Sequence, residues 1–197
     1  ASHANHIVLD YFKDLKINDC MIDIIIETES LGTGGALINA LDYLDDRFYC
    51  FNGDSIIDGN WLSLENLVSE GGDIIVALTE VTNPSRYGST ILNDSKIIGF
   101  EEKKNSSKKN IKNIINGGIY NIKKSVLEKY QLEKLSFETD VLKEQVNLGK
   151  VYGQVIDGYF IDIGLQETLL EARARNWRYD KKVFIFDRDG TLNEDDG

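Results

Sequence analysis

Apolar positions along this chain switch repeatedly between two spacings. Runs of β-branched and aromatic residues, such as Ile24-Ile25-Ile26 and Phe48-Tyr49-Cys50-Phe51, alternate with stretches in which apolar residues return every three or four positions. The first pattern suits a strand buried on both faces, and the second is one face of a helix. The spacing predicts helices over 5–16, 34–44, 61–69, 125–132, 136–148 and 164–178. It predicts strands over 21–27, 48–51, 73–81, 113–120, 151–156 and 159–161, with a hairpin over 87–100 that turns at Asn93-Asp94-Ser95. Ile7, Val8, Tyr11 and Phe12 form the apolar stripe of the first helix; Leu62, Leu64, Leu67 and Val68 form that of 61–69, which Gly71-Gly72 ends. Ser136 is a candidate helix N-cap. Strands and helices in alternation predict an α/β layered fold.

Composition narrows the field. A chain of 197 residues, 42% hydrophobic, can build one domain with an ample core, or one and a fraction. The net charge of -11, without a basic region, argues against a nucleic-acid partner. An anionic substrate must therefore be met locally, by a metal ion, backbone N–H groups or a few placed lysines. The five lysines of 103–112 lie among Asn and Ser and read as a solvated loop. No apolar run approaches 18 residues, so no membrane span is expected. Cys20 and Cys50 show no CxxC spacing and read as buried free thiols, which fits a reducing cytoplasm. His3 and His6 are expected to face solvent.

Three short segments carry candidate chemistry. Leu31-Gly32-Thr33-Gly34-Gly35-Ala36 follows a predicted strand and opens a helix, a place where backbone N–H groups can approach a polar or anionic ligand. A strand-to-helix turn also needs glycine for its own geometry, so both readings stand. Asn52-Gly53-Asp54 follows an apolar strand, where open α/β sheets bind ligands; as an Asx-type turn it could equally be structural. Asp162 ends the run Tyr159-Phe160-Ile161 and either caps the helix after it or holds a metal.

The order of these segments is more specific than any one of them. Glu27, LGTGGA, NGD, Tyr87-Gly88, Phe100-Glu101-Glu102-Lys103, Asn116-Gly117-Gly118-Ile119-Tyr120, Phe137-Glu138 and YFIDIG fall in one series between about residues 4 and 178. The series resembles the sugar-1-phosphate nucleotidyltransferase family, of the mannose and heptose guanylyltransferase kind. The resemblance implies a three-layer, Rossmann-like mixed sheet of the nucleotide-diphospho-sugar transferase type. It implies NTP and a sugar-1-phosphate as substrates, GTP and a heptose being favoured, and Mg²⁺ as cofactor, with a homo-oligomer compatible. By the same resemblance Asp54 and Asp162 would hold the metal. Leu31, Gly32, Thr33, Gly34, Asn52 and Gly53 would meet the nucleotide. Tyr87, Gly88, Glu102, Lys103, Asn116, Gly117 and Glu138 would meet the sugar phosphate. Two carboxylates with phosphate oxygens suit Mg²⁺, which prefers oxygen ligands. The family's opening glycine-rich loop and its triphosphate lysine do not occur in this sequence, and the first strands of the fold are expected to be missing with them.

The last residues carry a second signature. Val183-Phe184-Ile185-Phe186 leads into Asp187-Arg188-Asp189-Gly190-Thr191, which resembles the nucleophile loop of haloacid-dehalogenase (HAD) phosphatases of the heptose bisphosphate and histidinol phosphate branch. The resemblance implies Asp187 as nucleophile, Asp189 as general acid/base, and Mg²⁺ between them. The expected organisation is a nucleotidyltransferase domain over 1–178 and, over 179–197, a linker with the first strand of a phosphatase domain. Two other classes stay open: a nucleotide-sugar glycosyltransferase, and an inactive nucleotidyltransferase-like regulatory subunit. Asp187-Arg188-Asp189 is the sequence's only D-x-D and is not in a mid-chain strand, which disfavours the first. Asp54 together with Asp162 disfavours the second.

Overall fold

The computed structural model describes residues 5–13, 15, 21–81, 87–101 and 113–175. Its centre is strand β3 (Ile74–Val81), whose first five residues are fully buried because both faces are covered. Around it lies a mixed six-stranded sheet in the order β1-β6-β3-β7-β5-β4. The other strands are β1 (Arg47–Phe51), β4 (Ser89–Asn93), β5 (Lys96–Glu101), β6 (Asn113–Lys123) and β7 (Val151–Val155). Only β3 and β7 pair in parallel; the remaining ladders are antiparallel. A second, two-stranded sheet joins β2 (Ser55–Asp58) to β8 (Tyr159–Asp162).

The pleat of β3 sorts the core into layers. Ile74, Val76 and Leu78 point to one side, where they meet Ile38 of helix α2 (Gly32–Asn39), Leu127, and Phe137, Val141 and Val146. Ile75 and Ala77 point to the other, against Leu64, Ile57, Ile119 and Ile156, with Tyr49, Phe51 and Trp61 packed edge-on beside them. Helix α4 (Gln166–Ala174) covers β8 through Ala172, Ile161 and Ile163. Helix α1 (Asn5–Lys13) precedes this core in the chain and carries His6 exposed.

Four expectations are corrected. Residues 21–27 pair with no described strand, and Met21 is 92% exposed; a β-branched run becomes a strand only where a neighbour takes up its backbone groups. Residues Trp61–Glu70 form 3₁₀ turns, with Ser63 Oγ donating to Asn60 O at 2.6 Å and Ser69 Oγ to Asn66 O at 3.1 Å. These local bonds compete with the α-helical ladder. Lys124–Val126 makes one 3₁₀ turn instead of a helix to 132: Leu127 N donates to Lys124 O at 2.9 Å and Tyr130 N to Leu127 O at 3.0 Å, each only three residues back. Residues Phe137–Leu142 form a π-turn that continues into helix α3 (Lys143–Asn147), capped by Ser136 Oγ, which accepts from Thr139 N at 3.2 Å. β2, a strand the periodicity missed, is a four-residue segment that only its partner β8 reveals.

The ladder between β3 and β6 carries one irregularity. Opposite Val76 and Leu78 of β3, β6 moves from Tyr120 to Asn116, so β6 carries a bulge at Gly117-Gly118. Gly118 has φ +75°, and a Cβ there would sit 3.0 Å from the Cβ atoms of both Asn52 and Ser55. Gly71 also has positive φ, +88°, but open space around it. Gly118→Ala is expected to destabilise the fold by more than about 2 kcal/mol, from the left-handed backbone and the crowding together, and Gly71→Ala by no more than about that. Urea denaturation of the two variants measures the difference; equal losses would show that the bulge tolerates a side chain.

Candidate active site

The bulge places the end of β6 against the end of β1. Asn52 N donates to Gly118 O at 2.7 Å, and Gly118 N donates to Asn116 Oδ1 at 3.0 Å, an Asx turn that fixes the Asn116 side chain. The chain then turns through Gly53 and Asp54 into β2. There Ser55 pairs with Asp162 of β8, and Ile163 N donates to Asp54 O at 2.7 Å. Asp54 and Asp162 are thus brought together at one end of the β2–β8 ladder. Asp54 Oδ1 accepts from Ser55 Oγ at 3.0 Å, and Asp162 Oδ1 accepts from Gly164 N at 2.8 Å. The latter closes an Asx turn; α4 begins only at Gln166, with Leu165 at its cap and no side-chain bond.

Both carboxylates line a cleft of ≈ 840 Å³. Asn52, Tyr87, Gly88, Asn116 and Glu138 line it as well. Two of these lining side chains are held by Tyr120, itself 1% exposed and packed edge-on against Phe137 at 5.0 Å. Its hydroxyl accepts from Asn116 Nδ2 at 2.8 Å and donates to Glu138 Oε1 at 3.3 Å, so one buried phenol holds two cleft side chains. Burial, helped by the Glu138 carboxylate, pushes the Tyr120 hydroxyl well above its usual range, so it remains a neutral donor. Tyr87 packs edge-on against Phe160 at 5.8 Å and forms an aromatic wall.

The charge of the lining is mostly negative. Asp54, Glu101, Glu138 and Asp162 face it, with Lys143 as the one cation among the described lining residues. Such a surface repels phosphates unless a cation intervenes. Among the described residues no three His, Cys, Asp or Glu side chains gather as a metal site. Two carboxylates completed by substrate oxygens and waters form a donor set compatible with an oxygen-preferring divalent cation such as Mg²⁺.

The glycine-rich segment lies elsewhere. Leu31, Gly32, Thr33, Gly34, Gly53 and Gly117 are not among the residues lining the cleft. Gly34 N and Gly35 N donate to Leu135 O at 2.8 and 3.2 Å, and Thr33 Oγ1 accepts from Phe137 N at 2.9 Å. Gly32 has φ +71°, and a Cβ on it would come within 2.7 Å of Leu135 O. Glu27 Oε2 accepts from Leu31 N at 3.3 Å and orients the start of the loop. The loop is therefore docked on 135–137, the segment that carries Glu138 into the cleft.

These positions match a known family over most of the chain. The pattern of the nucleotidyl transferase family matches residues 1–177. The chain belongs to this family. It is 33% identical over 177 residues to D-glycero-alpha-D-manno-heptose 1-phosphate guanylyltransferase of Aneurinibacillus thermoaerophilus, covering 88% of this chain and 75% of that protein. The corresponding protein of Campylobacter jejuni is 34% identical, with 89% and 76% covered. The bifunctional protein GlmU of Methanocaldococcus jannaschii is 35% identical over 171 residues, 84% of this chain but 39% of its own length. The crystal structure of HddC from Yersinia pseudotuberculosis superposes with a TM-score of 0.73 at 34% identity, covering 86% of this chain and 73% of that one. The same protein complexed with GMP-PN gives the same figures.

Several expected residues fall outside the described part of the chain. Glu102 and Lys103, with the rest of the lysine-rich loop, lie outside the described residues, as do His3, Cys20, residues 176–178, and Asp187, Asp189 and the whole of 179–197. Cys50 is a free thiol, half-buried rather than fully buried as expected, and desolvation pushes its pKa up to about 11, disfavouring the thiolate. No helix among the described residues is long and apolar enough to cross a membrane. The sequence pattern did not single out Tyr120, Lys143 or Asn147. Tyr120 was visible as the end of the Asn116 segment, and the other two as polar positions one and two turns beyond Glu138.

Tyr120→Phe keeps the packing against Phe137 but leaves the Asn116 amide without its acceptor and Glu138 without its donor. The expected cost is about 1–2 kcal/mol of stability, read from chemical denaturation. A change below about 0.3 kcal/mol would contradict a satisfied buried network.

Proposed function

We propose that the chain transfers a nucleotidyl group from an NTP, GTP being favoured, to a sugar-1-phosphate of the heptose or mannose type, releasing pyrophosphate. The observation that carries this reading is the junction of Asp54 and Asp162, held by the Ser55–Asp162 pairing and the Ile163 N to Asp54 O bond at the mouth of one cleft. The names of the guanylyltransferase relatives support the base and the sugar. The HddC complex with GMP-PN supports a guanine nucleotide.

In this reading an oxygen of the sugar phosphate attacks the α-phosphorus of the NTP. The new P–O bond forms as the bond to the β-phosphate bridging oxygen breaks, and pyrophosphate leaves with that electron pair. No covalent enzyme intermediate is required. The chain aligns two anions and offsets their charge. Asp54 and Asp162 would hold Mg²⁺, which supplies Lewis-acid neutralisation of the phosphates when bound. Asn116 and Glu138, braced by Tyr120, would take sugar hydroxyls. By the resemblance alone, Lys103 would meet the sugar phosphate, and Gly32, Thr33 and Gly34, which do not line the cleft, would meet the nucleoside. The resemblance of Asp187-Arg188-Asp189-Gly190-Thr191 to a HAD nucleophile loop supports a phosphatase step in the same protein. That step would remove one phosphate of a sugar bisphosphate and leave the 1-phosphate for transfer.

Pyrophosphate release measured with a panel of NTPs and sugar-1-phosphates tests the reading. GTP with a manno-heptose 1-phosphate should turn over fastest. Asp54→Asn and Asp162→Asn should each cut turnover by roughly a hundredfold or more, as loss of charge stabilisation typically does, without moving the unfolding midpoint. Full turnover in either variant would refute the assignment.

A further inference from the structure

We propose that Lys143 is a substrate-binding residue whose ammonium binds the anionic group of the sugar phosphate, and that the π-turn at 137–142 exists to put it there. The inference rests on the nucleotidyl transfer reading and adds a residue to it. Lys143 N donates to Glu138 O, a bond spanning five residues. In an α-helix a residue five positions on lies about 140° further round. The five-residue turn instead brings Lys143 round towards the side of Glu138, and both residues line the cleft. Thr139, Leu142 and Asn147 of the same segment line it too.

Charge gives the lysine its role. Lys143 shares the cleft with four carboxylates, those of Asp54, Glu101, Glu138 and Asp162, and is the one cation among the described lining residues. Glu138 already accepts from Tyr120, and the Tyr120 hydroxyl in turn accepts from Asn116. Lys143 lines the same cleft as Asn116 and Glu138, the side chains that would hold the sugar. A solvated lysine on an ordinary helix would need no irregular turn. A π-turn is the rarer geometry and recurs at functional sites. A flexible ammonium with three donors is suited to a phosphate or another acidic substituent of the sugar.

Steady-state kinetics of Lys143→Met and Lys143→Arg, with thermal stabilisation by mannose 1-phosphate alone as a second readout, tests this. Lys143→Met should raise KM for the sugar phosphate roughly ten- to hundredfold, the worth of a charge-assisted hydrogen bond, with KM for the NTP unchanged. Lys143→Arg should recover most of the loss. Mannose 1-phosphate should shift the melting of the wild-type protein and not that of Lys143→Met. A wild-type KM and a wild-type melting shift in Lys143→Met would overturn the proposal while leaving nucleotidyl transfer intact. An effect on KM for the NTP alone would overturn it as well. A wild-type protein that neither turns over nor is stabilised by mannose 1-phosphate would overturn both.

Discussion

The active cleft depends on one close approach of two backbones. Where β1 ends and β6 bulges, Asn52 N meets Gly118 O at 2.7 Å, and a Cβ on Gly118 would crowd the Cβ atoms of Asn52 and Ser55 at 3.0 Å. That contact turns Asn116 into the cleft through its Asx turn and sets the direction of the chain leaving Asn52. The same direction brings Asp54 to the end of β8, where the Ile163 amide binds its carbonyl. Asp54 and Asp162 owe their meeting at one end of the β2–β8 ladder to this chain path, in which each neighbouring backbone bond fixes the next. A small stretch, 52–55 against 116–118 and 162–163, therefore carries the geometry of the whole site.

A second support lies across the cleft. The glycine-rich loop is docked on Leu135 and Phe137 through four hydrogen bonds, the fourth from Leu135 N to Leu31 O at 2.9 Å, and Phe137 in turn packs on Tyr120. The loop, the Glu138 turn and the Asn116 segment are thereby connected through one buried aromatic pair. The glycines of 32–35 satisfy a packing demand, since a side chain on Gly32 would strike the Leu135 carbonyl. A helix N-terminus can meet a nucleotide and still require its glycines for this reason.

Much of this was legible in the sequence, and the failures share a cause. β3 was clear because a strand buried on both faces must be apolar throughout, as Ile74 to Leu78 are. Asp54, Asp162, Asn116 and Glu138 were singled out by the family resemblance, and each lines the cleft. The segments that went wrong are those whose form depends on partners or on local side-chain bonds. Residues 21–27 have strand composition but no described ladder, and 61–70 has helical periodicity but serine bonds that favour 3₁₀ turns. β2 is too short to signal itself. The π-turn at 137–142 was invisible because apolar residues at 137, 141 and 142 read equally as α-helix; only the Lys143 N to Glu138 O bond separates the two.

The central claim is that Asp54 and Asp162 form one cation site at the β2–β8 end. Mn²⁺ added to isotope-labelled protein, with amide signals followed by NMR, addresses it most directly. The account predicts that the amides of Asp54, Ser55, Asp162 and Ile163 broaden together at one Mn²⁺ per chain, and that Asp54→Asn or Asp162→Asn abolishes the broadening of all four. Broadening confined to one strand, or unchanged by either substitution, would contradict it.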